Sequence, residues 1–388
     1  MSVQIGTATG YDDLLNKLDT FLTSTGMALT PSFTGVGNGT ISALGGSAGV
    51  AEVITVTLTS ATAFSVAGSV SGALGTGTVG VAFASTKANL TLTAGSTAFV
   101  ACDAFTFSVC PPWTSLRRTA GSEMIWQAPG NGGLDQIIVG AKTFFDVAGD
   151  YYNWRLGGFT GFNAATVFNQ QAGYISNSQA ASSPCLNLWN QSTPYWIIAN
   201  GRRVIVVAKV STVYVCAYLG FMNSYMSPAA FAYPLVVGGS LAWFSEPALA
   251  GNANWRWSYT GQEIRNCPIP ISAPNSGADQ QSSLRLRLPM GTWRGFDLQA
   301  AETLIGHVWP YLSGFTAWRT NLDGSYVLLP IILSDNTPNV YGELDGVFAV
   351  TGFQNAAENT ITIGRVTYLV VQNVFLTTQA SYFAVRLT

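Results

Sequence analysis

The chain has 388 residues, with 17 Lys and Arg against 19 Asp and Glu, so that 9% of it is charged; an ordinary soluble protein carries about a quarter. A formal net charge of −2 offers no basic field to a polyphosphate backbone, which excludes nucleic acid as an expected partner. The 48% hydrophobic content excludes intrinsic disorder, and no uncharged apolar run reaches the ~18 residues that would suggest a membrane span.

Residues 1–10 have neither a basic start nor an apolar core, so no secretory signal is expected. Over 11–25 the apolar residues Tyr11, Leu14, Leu15, Leu18, Phe21 and Leu22 recur on one helical face. Thr9 and Asp12 stand at capping-box spacing, and Gly26 follows the last periodic turn. Asp12, Asp13, Lys17 and Asp19 are assigned to the polar face. Residues 1–30 thus read as an N-terminal amphipathic helix, packed on the large domain or on a neighbouring subunit.

Residues 31–110 contain three charged residues, Glu52, Lys87 and Asp103, in a background of Gly, Ser, Thr, Ala and Val. Val53, Thr55, Thr57 and Thr59 interleave with Ile54, Val56 and Leu58, the period-two pattern of a half-buried strand. Leu90 to Thr93 and Ala104 to Val109 repeat the pattern between Gly-rich turns. The expectation is a small antiparallel β-sandwich whose outer faces are Thr and Ser, ended by Pro111-Pro112.

Residues 111–388 read as a larger, mostly β domain. Tyr195 to Ala199 and Arg202 to Val210 flank Asn200-Gly201, which predicts a hairpin with a type I′ turn. Asp345-Gly346, between Leu344 and Val347, predicts a second turn, and Gly364-Arg365 a third, with Gly at the first position. A last strand is expected over 382–387. Apolar spacing over 297–308 suggests another helix, limited by Pro310. The fold class is therefore mainly β: a small antiparallel sandwich module, a larger antiparallel β domain and a short N-terminal helix.

Little catalytic chemistry is available. His307 is the only histidine, so a Ser-His-Asp or Cys-His device would have to use it; beside Val308 and Trp309, with Glu302 the nearest acid in sequence, it reads as a structural or surface residue. Gly45 to Gly49 fits GxSxG and Gly75 to Gly80 fits GxGxxG, but both motifs need a following helix and strand-like residues follow instead. Asp146 and Asp150 form a carboxylate pair without distinctive context. Cys102, Cys110, Cys185, Cys216 and Cys267 lack CxxC spacing and read as buried reduced thiols. No catalytic, cofactor-binding or metal-binding residue is assigned, no cofactor is expected, and the chain is expected not to be an enzyme. Its sequence also lacks the long repeat of a β-helical depolymerase. Trp255, Trp257 and Tyr259 would share one face of a strand, either as a core or interface ladder or as a stacking platform for sugar rings. Trp243, Phe244 and Trp293 fit either role. Arg117-Arg118 and Arg202-Arg203 read as solvated or salt-bridged pairs.

Residues 54–109, with their Thr-Leu-Thr, Thr-Ala-Phe and Gly-Thr-Gly-Thr-Val-Gly phrasing and the closing Asp103-Ala104-Phe105-Thr106-Phe107, resemble the small Gly/Thr-rich β module of decoration and tail proteins of tailed bacteriophages. Residues 342–353 and Glu358 to Ile363 are similar to the C-terminal region of phage virion proteins, and the stretch around Tyr151 to Arg155 and 201–220 shares that character. The resemblance implies a structural component of the virion, in the tail or baseplate, assembled in the bacterial cytoplasm against copies of itself and other virion proteins. It transfers no active-site residues. A capsid decoration or collar protein is the alternative, and a tail protein binding a host surface glycan through Trp255, Trp257 and Tyr259 is a second. The shortage of charge agrees with a surface covered by other subunits.

Overall fold

The computed structural model describes residues 2–24, 27–28, 31–46, 52–130, 136–148, 150–175, 184–239, 284–294, 325–334, 339–364, 366–372, 377 and 382–387. Within them the chain is mainly β, with one α-helix, Tyr11–Ser24, near the start. Leu14, Leu15, Leu18 and Leu22 on its apolar stripe are wholly buried. Gly10 precedes the first turn, its carbonyl accepting the Leu14 N–H at 3.0 Å. The acid that reaches back is Asp13, which accepts the Thr9 N–H at 2.8 Å; Asp12 accepts the N–H of Asp13 instead.

Asp19 does not lie on a solvated face, as its spacing suggested, but is 0% exposed. The Trp126 indole N–H donates to its Oδ1 at 2.8 Å, and Arg118 Nε lies 2.7 Å from its Oδ2. A buried carboxylate holds its charge only when donors collect around it, and those donors come from the sheet beneath. Further ties run the same way: Trp154 Nε1–H to Tyr11 O at 2.8 Å, the Trp113 N–H to Leu22 O at 2.8 Å and the Gly121 N–H to Asn16 Oδ1 at 2.8 Å. The helix is therefore fastened to its own chain along its whole length.

Those donors belong to a five-stranded antiparallel sheet of Thr114–Thr119, Glu123–Ala128, Ile137–Asp146, Tyr151–Phe159 and Cys185–Leu188, in that order. The central, seven-stranded sheet runs Ser2–Ala8, Thr193–Ala199, Arg203–Val210, Val213–Phe221, Leu235–Gly238, Leu284–Arg287 and Trp293–Arg294. Its edge strand Ser2–Ala8, not foreseen in the sequence, pairs with Thr193–Ala199 from Ser2↔Ala199 to Ala8↔Thr193. Every residue of Val213–Phe221 is buried. Side chains on a strand alternate between faces, so both faces of the central sheet are covered there. The five-stranded sheet touches this strand, and so does Val366–Gln372 of a C-terminal sheet. That third sheet orders Asn223–Ser224, Val340–Val350, Tyr382–Arg386, Val366–Gln372 and Thr360–Ile363, with Leu329–Ser334 also on Val340–Val350. One continuous core joins all three sheets and the helix.

The Gly/Thr-rich stretch builds a separate core from Ile54, Val56, Leu58, Phe64, Leu90, Leu92, Phe99, Phe105 and Phe107, among others. One sheet orders Met27–Ala28, Ala104–Cys110, Glu52–Leu58, Ala63–Gly68 and Gly72–Thr78, with Ser32–Thr34 also on Ala104–Cys110. A three-stranded sheet of Thr40–Gly46, Ala88–Thr93 and Ala82–Ala84 completes it. Burial alternates along Glu52–Leu58 and Ala88–Thr93 with the expected period of two.

Turn chemistry departs from expectation twice. Thr193–Ala199 and Arg203–Val210 do form a hairpin, but neither Asn200 nor Gly201 has positive φ, so the turn is not type I′. The Asn200 side chain instead accepts the N–H groups of Arg202 and Arg203 at 2.8 and 3.0 Å. Asp345-Gly346 is no turn at all: it lies inside the long strand Val340–Val350, where Gly346 takes φ +73°. A left-handed residue there bends a strand whose first half pairs with Asn223–Ser224 and whose second half pairs with Tyr382–Arg386. The third hairpin, with Gly364 at φ +62° between Ile363 and Val366, is as expected.

Replacing Asp19 with Ala is expected to lower unfolding stability by about 1.5–3 kcal/mol, the usual worth of hydrogen bonds to a charged group. A shift of the urea midpoint measures this, and a change within the error of the wild-type curve would refute the anchoring role. A second expectation concerns acid. Burial raises the pKa of Glu123, but hydrogen bonds and charges from Lys142 and Arg117 outweigh it, so the net value lies below 4.5. Glu52 is lowered likewise, by Ser71, Val70 and Lys87 against burial. Carboxyls depressed on folding contribute stability that is present above the unfolded pKa and lost as pH falls through the folded one. The thermal midpoint should therefore drop between about pH 5 and pH 3, with a smaller drop in Glu123→Gln.

Candidate functional site

Trp255, Trp257 and Tyr259, with Trp243, Phe244, His307 and the helix expected over 297–308, lie outside the described residues. Trp293 lies in the edge strand of the central sheet, its indole N–H donating to Gly173 O at 2.9 Å. The Gly75 to Gly80 stretch runs from strand Gly72–Thr78 through a turn into strand Ala82–Ala84, so no helix N-terminus faces it. Three of the four paired arginines are engaged with acids, while Arg202 reaches Asn223 Oδ1 and Met222 O at 3.4 Å. Arg117 NH1 lies 2.6 Å from Glu123 Oε1, Arg118 pairs with Asp19, and Arg203 Nε lies 3.3 Å from Asp345 Oδ2. Among the described residues, Asp12, Asp150 and Glu358 are exposed, Glu358 in a pair with Lys209, and the side chains of Arg118 and Lys142 are 57% and 43% exposed.

The expectation of uniformly buried thiols is corrected at Cys102, which is exposed with φ +74° on the turn before Asp103. A positive φ at a non-Gly residue is tolerated there because Asp103 fixes the turn. Asp103 is buried and accepts the N–H groups of Val36, Gly37 and Val100 at 2.9, 3.0 and 3.1 Å. Cys185 and Cys216 are buried as expected.

Asp146 and Asp150 do not act as a pair. Asp146 Oδ1 accepts the Ala148 N–H at 2.9 Å and closes its own turn. Asp150, in the left-handed region at φ +53°, instead borders a cavity of about 300 Å³. Three strand connections meet around it: the start of Tyr151–Phe159, the loop after Cys185–Leu188, and the turn between Val210 and Val213. Tyr152, Leu188, Trp189, Asn190 and Gln191 line it on one side, and Val210, Ser211, Thr212 and Val213 on the other.

Each wall is held by local chemistry. The Trp189 indole N–H donates to Thr193 Oγ1 at 2.6 Å, and that hydroxyl donates to Gln191 O at 2.9 Å, which fixes the 189–193 loop. Tyr152 packs against the rings of Tyr11 and Phe145, at centroid distances of 5.2 and 6.3 Å. Ser211 at φ +56° makes the tight reversal between the paired residues Val210 and Val213. By contrast, the side chains of Asp150, Asn190, Gln191 and Ser211 form no hydrogen bond or ion pair among the described residues. Sequence reasoning reached Asp150 but not the site. The signal was the run Leu188-Trp189-Asn190-Gln191-Ser192-Thr193, an aromatic followed by amides and hydroxyls at a strand end, where loops carry binding groups.

Comparison with known proteins finds no family model that matches this chain and no curated protein that matches it.

The thiols provide a direct check on the placement of these loops. Burial pushes the Cys185 thiol up to about 12, and only the thiolate alkylates readily. Iodoacetamide on the native protein at mildly alkaline pH should modify Cys102 and spare Cys185 and Cys216, as read by peptide mass mapping. Modification of Cys185 at the rate of Cys102 would contradict this packing.

Proposed function

We propose that this chain is a non-enzymatic structural component of a tailed-phage virion, placed in the tail or baseplate and working through contacts with copies of itself and with other virion proteins. The observation that carries this reading is the disposition of charge in the Gly/Thr-rich module. Of its three charged residues, Asp103 and Glu52 are buried. Asp103 is taken by three backbone N–H groups. Glu52 accepts the N–H groups of Val70 and Ser71 at 3.2 and 3.0 Å and the Ser71 hydroxyl. Lys87 alone is left to charge the surface, while Val36, Val53, Val70, Val81 and Val100 are exposed.

A surface of Thr, Ser, Gly and Val has little electrostatic repulsion between copies and little desolvation cost on contact. Such a surface suits permanent burial in a symmetric assembly. The phage context is supported by the resemblance of residues 54–109 and 342–363 to virion proteins. The resemblance covers decoration and tail proteins alike, so a capsid decoration or collar protein is the alternative within the virion.

Sedimentation velocity over a rising concentration series should show self-association. The double substitution Val53→Lys and Val70→Lys, at exposed residues brought close because the Ser69 N–H donates to Val53 O, should shift the protein toward monomer with an unchanged circular-dichroism spectrum. A protein that stays monomeric throughout would overturn the assembly reading. A map of the whole particle should place the chain in the tail in small multiples of three or six, and density on the capsid lattice would overturn the tail assignment.

A further inference from the structure

We propose that the cavity bounded by Asp150, Tyr152, Trp189, Asn190, Gln191 and Ser211 is a binding site for one neutral sugar residue. The proposal stands on this cavity alone and holds whether or not the chain is a virion component. At about 300 Å³ the cavity is at the small end of ligand sites, the size for a single ring and not for a peptide segment.

The chemistry of the lining narrows the ligand further. Asn190 and Gln191 each offer an amide that donates and accepts, Ser211 a hydroxyl and Asp150 two acceptor oxygens. Adjacent hydroxyls on a sugar ring are the groups that match a planar amide and a carboxylate together. Tyr152 and Trp189 contribute aromatic surface against which the C–H face of a sugar packs. These rings are held by their own contacts, Trp189 by Thr193 and Tyr152 by Tyr11 and Phe145, so little ordering is required on binding.

Other ligand classes fit less well. None of the residues lining the cavity is a cation, so a phosphate, a nucleotide or an acidic sugar would meet Asp150 with nothing to offset the repulsion. A purely apolar ligand would desolvate Asp150, Asn190 and Gln191 without replacing their water. A divalent cation would find one carboxylate where such ions gather several oxygens. An organic ammonium would use Asp150 and the rings but leave both amides and Ser211 unmatched.

Saturation-transfer NMR on the full chain tests this, with the methyl glycosides of glucose, galactose, mannose, rhamnose and N-acetylglucosamine, together with methyl glucuronide and choline. At least one neutral glycoside should give a signal. Gln191→Ala and Asp150→Ala should each weaken its binding at least tenfold in titration, while the circular-dichroism spectrum and thermal midpoint stay within error of wild type. Trp189→Phe, which keeps the ring and loses the tie to Thr193, should weaken binding less than Gln191→Ala. Silence from every neutral glycoside would overturn the proposal. So would binding unchanged by both alanine variants, or preference for the glucuronide or choline. If either alanine variant fails to fold, Asp150→Asn and Gln191→Glu replace them and carry the same tenfold criterion.

Discussion

Arg203 has no exposed surface, yet its guanidinium is charged, and the join between the central and C-terminal sheets is organised around that charge. Taking an ion out of water costs several kcal/mol even after relaxation. The structure offsets the cost with neighbours on every side. Asp345 Oδ2 receives Arg203 Nε at 3.3 Å and Asn200 Nδ2 at 2.6 Å, while Arg203 NH1 donates to Ile198 O at 3.2 Å. Burial raises the Asp345 pKa, but the charges of Arg203 and Arg202 and the Asn200 bond bring it below its ordinary value, so the acid stays ionised. Tyr218 closes the group, accepting the Asp345 N–H at 3.2 Å and donating to Phe221 O at 2.8 Å. Burial raises its phenol well above the ordinary range, so the hydroxyl stays a donor even in alkali. A strand held at Asp345 in this way cannot slide, because a slip of one residue would leave the buried Arg203 guanidinium without its carboxylate.

The same economy recurs wherever an acid is buried. Asp19 joins helix to sheet, Glu123 sits between Arg117 and Lys142, and Glu52 and Asp103 each gather backbone N–H groups in the small module. Asp103 also explains two glycines. An ideal Cβ at Gly35 would lie 2.2 Å from Asp103 Oδ1, and one at Gly37 would lie 2.9 Å from Oδ2. Gly35 further takes φ +148°, a conformation that suits a residue without Cβ. The loop wraps the carboxylate so closely that side chains at these positions have no room. Few acids are present, and those in the interior are fixing points for connections.

Periodic apolar patterns made much of this fold legible. The helix over 11–24, the alternating strands of the module, the strand ending at Val210 and the last strand all follow from spacing that burial then matches. What spacing could not convey was the partner of a polar group. Asp19 falls among polar positions in the sequence, and its burial depends on Trp126, more than a hundred residues away. Asp345-Gly346 has the local chemistry of a turn, but Arg203 and Asn200 hold Asp345 within a bent and bulged strand, so tertiary contacts override the local preference. The Ser2–Ala8 strand was missed because its alternation is weak and its partner lies almost two hundred residues on. The cavity was missed for a related reason: its walls come from three connections that are adjacent only after the two large sheets have formed.

Charge placed inside a protein is unavailable to its surface, and this bears on what the surface can recognise. Long-range steering needs clustered exposed charge, whereas here the described acids and bases are largely paired or turned inward. Recognition is then left to shape, to hydroxyls and amides, and to aromatic faces. Permanent contact with other subunits and capture of a neutral polyhydroxylated ring both draw on that chemistry, and neither needs a field to act at a distance. At the cavity the walls are held by Thr193 and by the Tyr11 and Phe145 rings, while Asn190, Gln191 and Asp150 have no protein partner among the described residues. Those side chains are exposed, so a ligand seated between the two aromatic rings would replace water as their hydrogen-bond partner.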